Sequence, residues 1–340
     1  MSIQKRKKDH VELTVNDQVA YKKKTGFERY DFAHHALPET DSGEIDLTTK
    51  FLGRLFSFPV FISSMTGGYS EAGPINAQIA AFCEKRNVPF GVGSQRAMLE
   101  HPEEIESFNT VRKHAPTAFI AANIGGVQLI GGLSQRKINL MIESIGADAV
   151  IVHLNPLQEL MQPEGDRNFR GVKKGIALLA KSTDLPIIVK ETGAGISSAA
   201  AKPLLDIGVK VVDVSGAGGT SWAKVENKRK REDAPLDLFD DWGIPTAECI
   251  KEVVKLKDQY SFEIIGSGGI RTSFDIVKAL ALGADFTAAA QPVIKTLIKE
   301  NTEGLNLLFD RWKQETRIIL TLLGCSSFSD LNHTHLREIR

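Results

Sequence analysis

The chain has 340 residues, 42% of them hydrophobic and 25% charged, with Lys plus Arg and Asp plus Glu balanced at 42 each. Such a composition is ordinary for a globular protein and allows a core large enough to bury a cofactor. Zero net charge gives no global field for nucleic acid or an anionic membrane, so any anion site has to be local.

The cysteines Cys83, Cys249 and Cys325 are far apart and odd in number. They match neither a disulfide framework nor a metal-ligand spacing, and point to a reducing, cytoplasmic setting. The basic N-terminus MSIQKRKKDHVEL is followed by no apolar core and does not read as a signal peptide. The apolar runs are too short to span a bilayer, so a soluble protein is expected.

Residues 1–57 precede the first predicted strand and are expected to form an N-terminal extension. From Phe58 onward, short β-branched runs alternate with amphipathic stretches. The predicted strands are Phe58–Met65, Val88–Ser94, Ala118–Ile124, Ala149–Leu154, Ile187–Glu191, Val211–Ser215, Glu263–Gly266 and Phe286–Ala290. Each is apolar through most of its length, as parallel strands covered by helices are. Predicted helices between them include Pro74–Arg86, Gln135–Ile145, Val172–Ser182 and Phe274–Leu282. Gly146-Ala147-Asp148 and Gly283-Ala284-Asp285 each stop a helix and lead straight into a strand. Eight strand–helix units close a barrel. The expected architecture is therefore a single-domain α/β (β/α)8 TIM barrel over 58–300, with a C-terminal helix and tail over 301–340. The alternative, an open doubly wound sheet, lacks a marked switch point.

Strand after strand ends in small or polar residues, from Ser63-Ser64-Met65-Thr66-Gly67-Gly68 through Gly266-Ser267-Gly268-Gly269-Ile270-Arg271. In a barrel these ends meet at the C-terminal face, where active sites sit. Ser267–Arg271 after the seventh strand and Ala289-Ala290-Gln291-Pro292 after the eighth suit a phosphate, with Ser215–Thr220 beside them. The bland reading of each is a tight turn. Lys190 ends an apolar strand, where a charge is costly unless it meets an anion, such as a reduced flavin, or a carboxylate such as Glu191. His153–Leu160 brings a histidine, amides and a carboxylate to the end of the fourth strand, and a carboxylate beside a diphosphate suits Mg²⁺. Residues 221–245 form a long loop on the same face. By composition its run Lys228–Arg231 reads as a solvated surface, and Arg6–His10 as a basic tail.

The sequence resembles type 2 isopentenyl diphosphate isomerase, a flavoprotein family, from Arg6 to about Leu323. The resemblance rests on Arg-Lys-x-x-His at Arg6–His10, Ser64–Gly68, Gly93–Arg96, Ala122–Gly125, His153–Glu159, Val189–Glu191 and Gly266–Arg271. It implies FMN contacts from Met65, Thr66, Gly67, Ser94, Asn123, Lys190, Ser215 and Thr220. It implies an FMN phosphate on Gly268, Gly269, Arg271, Ala290 and Gln291. At Ala290-Gln291-Pro292 the chain departs from the family pattern, which has Gly or Arg before the proline. Substrate diphosphate would be held by Arg6, Lys7, Ser94, Gln95, Arg96, His153 and Asn155, with Gln158 near the reacting carbons and Glu159 on Mg²⁺. The resemblance also implies NADPH as reductant and a homotetramer or homo-octamer.

The implied reaction is a redox-neutral allylic isomerisation, with Lys190 and Gln158 as the catalytic side chains. An amide barely accepts a proton, so Gln158 is expected to orient rather than act as sole base. The competing enzyme reading is an FMN-barrel oxidoreductase of the 2-hydroxy acid oxidase type. That chemistry wants a histidine base near the flavin, and the strand ends after Val211 and Glu263 offer none.

Overall fold

The structure, a computed structural model, describes residues 3–16, 19–69, 71–230 and 236–339, without the side chains of residues 3–6, 8 and 230. It opens with helix α1 (Ile3–Val15) and the short strand β1 (Tyr30–Phe32), then a hairpin of β2 (Thr49–Phe51) and β3 (Arg54–Phe56). The barrel begins with β4 (Val60–Ile62), α2 (Ala72–Arg86), β5 (Phe90–Gly91), α3 (Arg96–Glu100), α4 (Glu106–His114) and β6 (Ile120–Gly125). It continues through α5 (Gln135–Glu143), β7 (Ala149–Leu154), α6 (Pro156–Met161), α7 (Val172–Ser182), β8 (Ile187–Glu191), α8 (Ser198–Leu205) and β9 (Val211–Asp213). The remaining elements are α9 (Trp222–Lys230), α10 (Thr246–Val253), β10 (Glu263–Ser267), α11 (Ser273–Ala281), β11 (Phe286–Ala289), α12 (Gln291–Leu323) and β12 (Leu336–Glu338).

Strands β4 to β11 close a parallel barrel in sequence order, each paired with its chain neighbour and β11 with β4. The anticipated strands are in place, but the first two and the sixth are shorter than their apolar runs suggest. Val92 and Val214 fall outside the strand bounds, yet both are buried and still donate to the neighbouring strand, at 3.1 Å to the Ala121 carbonyl and 3.0 Å to the Ile265 carbonyl. Apolar character reports burial, which extends past the strand bounds. The Gly-Ala-Asp junctions have a further use. Asp148 Oδ2 accepts the Ile120 N–H at 2.8 Å, and Asp285 Oδ2 accepts the Ile264 N–H at 2.7 Å. Each aspartate thus ties the foot of its own strand to the neighbouring one.

Side chains alternate across a strand, so each barrel strand sends one set inward and the other toward the helices. The inward set at the N-terminal end is apolar: Phe61, Phe119, Ala121, Ile151, Ile188, Val211, Ile265 and Phe286. Hairpin β2–β3 seals that end. Phe51 lies 4.9 Å from the Phe286 ring and Phe56 5.9 Å from Phe119, both essentially inaccessible to solvent. The outward set, with Val60, Ile62, Val150, Val152, Val189, Val212 and Ile264, packs beneath the helices.

Two regions depart from their compositional reading. Segment 221–245 was expected as a loop, but its first part is helix α9, packed on α6 and α1. Arg229, within the basic run, is only 3% exposed as a side chain and pairs with Glu226 and, at 3.3 Å, Glu164. One of these acids is on its own helix and the other far away in sequence, and together they bury it; Arg231 lies outside the described residues. Arg6–His10 belongs to α1, which packs on α9 and α12 rather than trailing as a tail. At the other end, α12 breaks at Asn301 (φ 61°), where barrel and C-terminal segment were divided. The tail returns to pair β12 with β1. None of the described helices is long and apolar enough to cross a membrane.

Replacing Phe51 with Ala should cost about 3–5 kcal/mol of stability, the usual range for emptying a buried phenylalanine site. Urea unfolding checks this, and a loss below about 1 kcal/mol would mean that the hairpin does not plug the barrel.

Candidate active site

At the C-terminal end of the barrel the same inward alternation turns polar. Two positions above Ala121, Ile151, Ile188, Val211 and Ile265 stand Asn123, His153, Lys190, Asp213 and Ser267. His153, Lys190 and Asp213 are successive register partners on β7, β8 and β9. This layer floors two cavities of about 880 and 960 Å³, which share His10, Ser64, Met65, Lys190, Thr192 and Trp222 on their walls.

The first cavity takes in Met65, Lys190, Ser215, Thr220, Gly268, Gly269, Arg271, Ala290 and Gln291. Its rim is a cradle of backbone. Gly268 (φ 102°) and Gly269 (φ 80°) adopt left-handed geometry, and a Cβ on Gly268 would meet the Gly216 carbonyl oxygen at 2.1 Å. Close backbone approach at this rim therefore needs glycine. Arg271 Nη1 donates to the Gly218 carbonyl at 3.1 Å, and α12 begins at Gln291 with its N-terminus beside the cavity. That end favours an anion. Ser64 Oγ and Thr66 Oγ1 are buried polar atoms on the cavity walls with no hydrogen-bond partner in the protein. Two orphaned hydroxyls, a glycine cradle, a helix N-terminus and Lys190 fit FMN: a phosphate at the rim and a polar heterocycle over the barrel floor.

The second cavity takes in Lys7, Thr66, Gly67, Ser94, Arg96, Asn123, His153, Asn155, Gln158 and Glu159, with Met65 and Lys190 at the junction. Thr66, Gly67, Ser94 and Asn123, expected on the cofactor, therefore lie on this side. Lys7 Nζ donates to the carbonyls of Gly67 and, at 3.4 Å, Ser94. Arg96 Nε donates to Glu100 at 2.8 Å. The Arg6 side chain lies outside the described residues. Gln95 does not line either cavity, contrary to expectation. Fully buried behind the wall, it donates to the Met141 carbonyl at 2.9 Å and accepts the Asn123 N–H at 3.0 Å. It therefore supports Asn123 and has no free group for a diphosphate.

The Asn123 amide donates to the Val92 carbonyl at 3.0 Å, which turns its oxygen toward His153 Nδ1, 2.8 Å away. With that oxygen as acceptor, Nδ1 carries the imidazole proton and Nε2 is left for a ligand. Burial, with Lys190 and then Lys7 nearby, pushes the imidazole down to about 3. Asn155 Nδ2 donates to Gln158 Oε1 at 3.2 Å and to Glu159 Oε1 at 3.1 Å. Glu159 Oε2 also accepts the Asp166 N–H at 2.8 Å. No group of three or more metal-ligating side chains occurs among the described residues. A lone carboxylate next to a cationic wall fits Mg²⁺ only when substrate phosphates supply other ligands, which is that ion's habit.

Lys190 Nζ donates to the Glu191 backbone carbonyl at 2.6 Å. The Glu191 carboxylate instead accepts the N–H groups of Thr192 and Gly193, each at 2.6 Å. Burial pushes that carboxyl up, against these hydrogen bonds and Lys190.

Several residues of this site escaped the sequence reading. His10, Val11 and Thr14 share one face of α1 with Lys7, which was expected, at spacings of three and four, and line the cavities. His10 Nε2 lies 2.9 Å from Glu226 Oε1, and its ring meets Trp222 edge-on at 5.0 Å. Glu226, wholly buried on α9, also accepts from Gln158 Nε2 at 3.3 Å. Burial pushes its carboxyl up, but His10, Arg229 and Gln158 outweigh that and hold it below the ordinary range. Helical spacing was a legible signal for α1, and strand alternation for Asp213; for Glu226 there was none.

Residues 2–121 and 142–338 match the family of FMN-dependent dehydrogenases. The isopentenyl-diphosphate delta-isomerase of Pelodictyon phaeoclathratiforme is 43% identical over 97% of this chain and 96% of its own. That of Nostoc sp. is 42% identical over 97% and 95%. The chain belongs to this family of flavin-linked barrels, in the isopentenyl-diphosphate delta-isomerase group. Solved structures agree on the fold. Flavocytochrome b2 with sulfite bound superposes with a TM-score of 0.71 at 19% identity, over 96% of this chain and 82% of that one. A mandelate oxidase variant gives 0.65 at 16% identity, over 98% of each.

A neutral His153 makes stability depend on pH. Unfolded, the imidazole titrates near its ordinary value of about 6.5, so below that pH the unfolded chain binds a proton that the folded one refuses. The contribution is complete above about pH 6.5 and is lost as pH falls toward 3, by up to about 1.4 kcal/mol per pH unit. His153→Gln should flatten this part of the profile in urea titrations at neutral and mildly acidic pH. An unchanged acid slope would contradict the burial of a neutral imidazole.

Proposed function

We propose that this chain interconverts isopentenyl and dimethylallyl diphosphate, with FMN in the first cavity and the Mg²⁺-bound diphosphate in the second. The main support is that the two cavities meet at Lys190. A cofactor and a substrate placed in them would be in contact over the polar barrel floor. NADPH as reductant, a homotetramer or homo-octamer and a cytoplasmic location belong to the same reading.

In the reaction one end of the substrate double bond gains a proton and a neighbouring methylene loses one, with no net redox change. Reduced FMN supplies an electron-rich ring face and an exchangeable proton there. The chain's own residues handle charge and orientation. Lys7, Arg96 and His153 face the diphosphate, and Glu159 shares Mg²⁺ with it. An anion brought to His153 Nε2 offsets the burial that keeps the ring neutral, so this histidine can take a proton as substrate binds. Lys190 favours negative charge on the flavin edge. Gln158 is fixed at both ends of its amide, by Asn155 and Glu226, and orients the reacting carbons. Helices α1 and α9, joined through His10, Trp222 and Glu226, cover the site against water. A carbocation-like species needs that protection from solvent.

The test is an anaerobic assay of isopentenyl diphosphate with the protein, FMN, Mg²⁺ and dithionite, without NADPH. Dimethylallyl diphosphate should accumulate over many turnovers, and Glu159→Gln should weaken substrate affinity by roughly tenfold or more, as loss of a metal ligand does. A flavin-loaded protein that forms no product would overturn the reading and favour the oxidoreductase.

A further inference from the structure

An ammonium group inside a barrel needs a counter-charge, because burying an unpaired charge is costly. Lys190 is 8% exposed. Glu191 does not fill that need: successive side chains of a strand point to opposite faces, and its carboxylate is occupied by backbone N–H groups of its own loop. The described lining of the two cavities holds one carboxylate, Glu159, already engaged by Asn155 and Asp166. Asp213 does share the face of Lys190. The two are register partners on β8 and β9, on strands about 4.8 Å apart. Asp213 is 3% exposed and lines neither cavity, and it accepts a hydrogen bond from the Ser267 hydroxyl. Ser267, like Lys190, does face the first cavity. The carboxylate therefore stands beside one group of the flavin site, Lys190, and accepts a hydrogen bond from another, Ser267. Burial pushes its carboxyl up, while Lys190 and Ser267 pull it back toward the charged form.

We propose that Asp213 is a positioning residue for the flavin site, the buried counter-charge that holds the Lys190 ammonium in the upper layer of the barrel. The inference rests on FMN occupying the first cavity. The other ionisable groups lining the two cavities around Lys190 are His153 on β7, Lys7 and His10 on α1, Tyr69, Arg96, Glu159 and Arg271. None of them is a free carboxylate. Without Asp213, the negative charge of the reduced flavin becomes the counter-ion of Lys190. The oxidised enzyme then has no such anion, so the lysine gives up its proton in that state and regains it when the flavin is reduced. Reduction becomes coupled to an extra proton.

The coupling is read from the midpoint potential of bound FMN against pH, by anaerobic dye-linked titration from neutral to alkaline pH with no diphosphate present. Asp213→Asn should add up to a tenfold change per pH unit to the preference for reduced over oxidised flavin. For this two-electron couple that is about 30 mV per pH unit of extra slope. The extra slope should vanish in the double variant Asp213→Asn/Lys190→Met. A wild-type slope in Asp213→Asn, or an extra slope that survives in the double variant, overturns the proposal. Should Asp213→Asn fail to fold, Asp213→Ser, which removes the charge in a smaller polar side chain, should add the same slope, and no added slope overturns the proposal. Wild-type protein that fails to hold FMN or to turn over isopentenyl diphosphate would instead overturn the functional reading.

Discussion

Alternation of side chains along eight parallel strands is the constraint on which the rest of the structure depends. Every second residue points into the barrel, and the strand length sets how many layers those residues make. In the lower layers the inward positions are phenylalanine, isoleucine, valine and alanine, sealed by the Phe51–Phe56 hairpin. One step higher they become Asn123, His153, Lys190, Asp213 and Ser267. The apolar plug excludes water from below and so strengthens every electrostatic interaction in the layer above it. The neutral His153 and the buried Lys190 and Asp213 are consequences of that one transition.

The cover is built on the same logic of buried charge. Glu226 is accessible to no solvent, yet it is met by His10 from α1, Gln158 from α6 and Arg229 from α9. Three segments far apart in sequence are thereby joined over the mouth of the site. The joint is polar and specific, so it can hold the cover in one register while leaving the apolar barrel core untouched.

Much of the fold was legible because barrel strands are buried on both faces and read as continuous apolar runs, while glycine marks the helix stops. Segments Ala149–Leu154 and Ile187–Glu191 have the expected bounds. The ends of β5 and β9 were overextended, because Val92 and Val214 are buried and hydrogen-bonded to the next strand yet lie outside the strand bounds. In the site, residues at strand ends were readable as a group, and His153–Glu159 stood out by chemistry. Gln95 was misplaced because a polar residue at a strand end turns either toward the cavity or behind it, and sequence does not say which. The basic runs misled for a different reason. Arg229 is buried by Glu226 on its own helix and by Glu164, 65 residues away, and α1 by Glu226 and Trp222, some two hundred residues further along the chain. Asp213 went unremarked as one acid in an apolar run, although its place in the alternation put it beside Lys190.

The central claim is that cofactor and diphosphate occupy adjoining cavities and are bound together, with Lys190 on their common wall. The most direct measurement is a titration of the FMN-loaded, oxidised protein with isopentenyl diphosphate and Mg²⁺, following the visible flavin spectrum and the free FMN. A saturable change in the spectrum with FMN still bound is the result this account expects. Release of FMN by the diphosphate, or binding that leaves the flavin spectrum untouched, would contradict it.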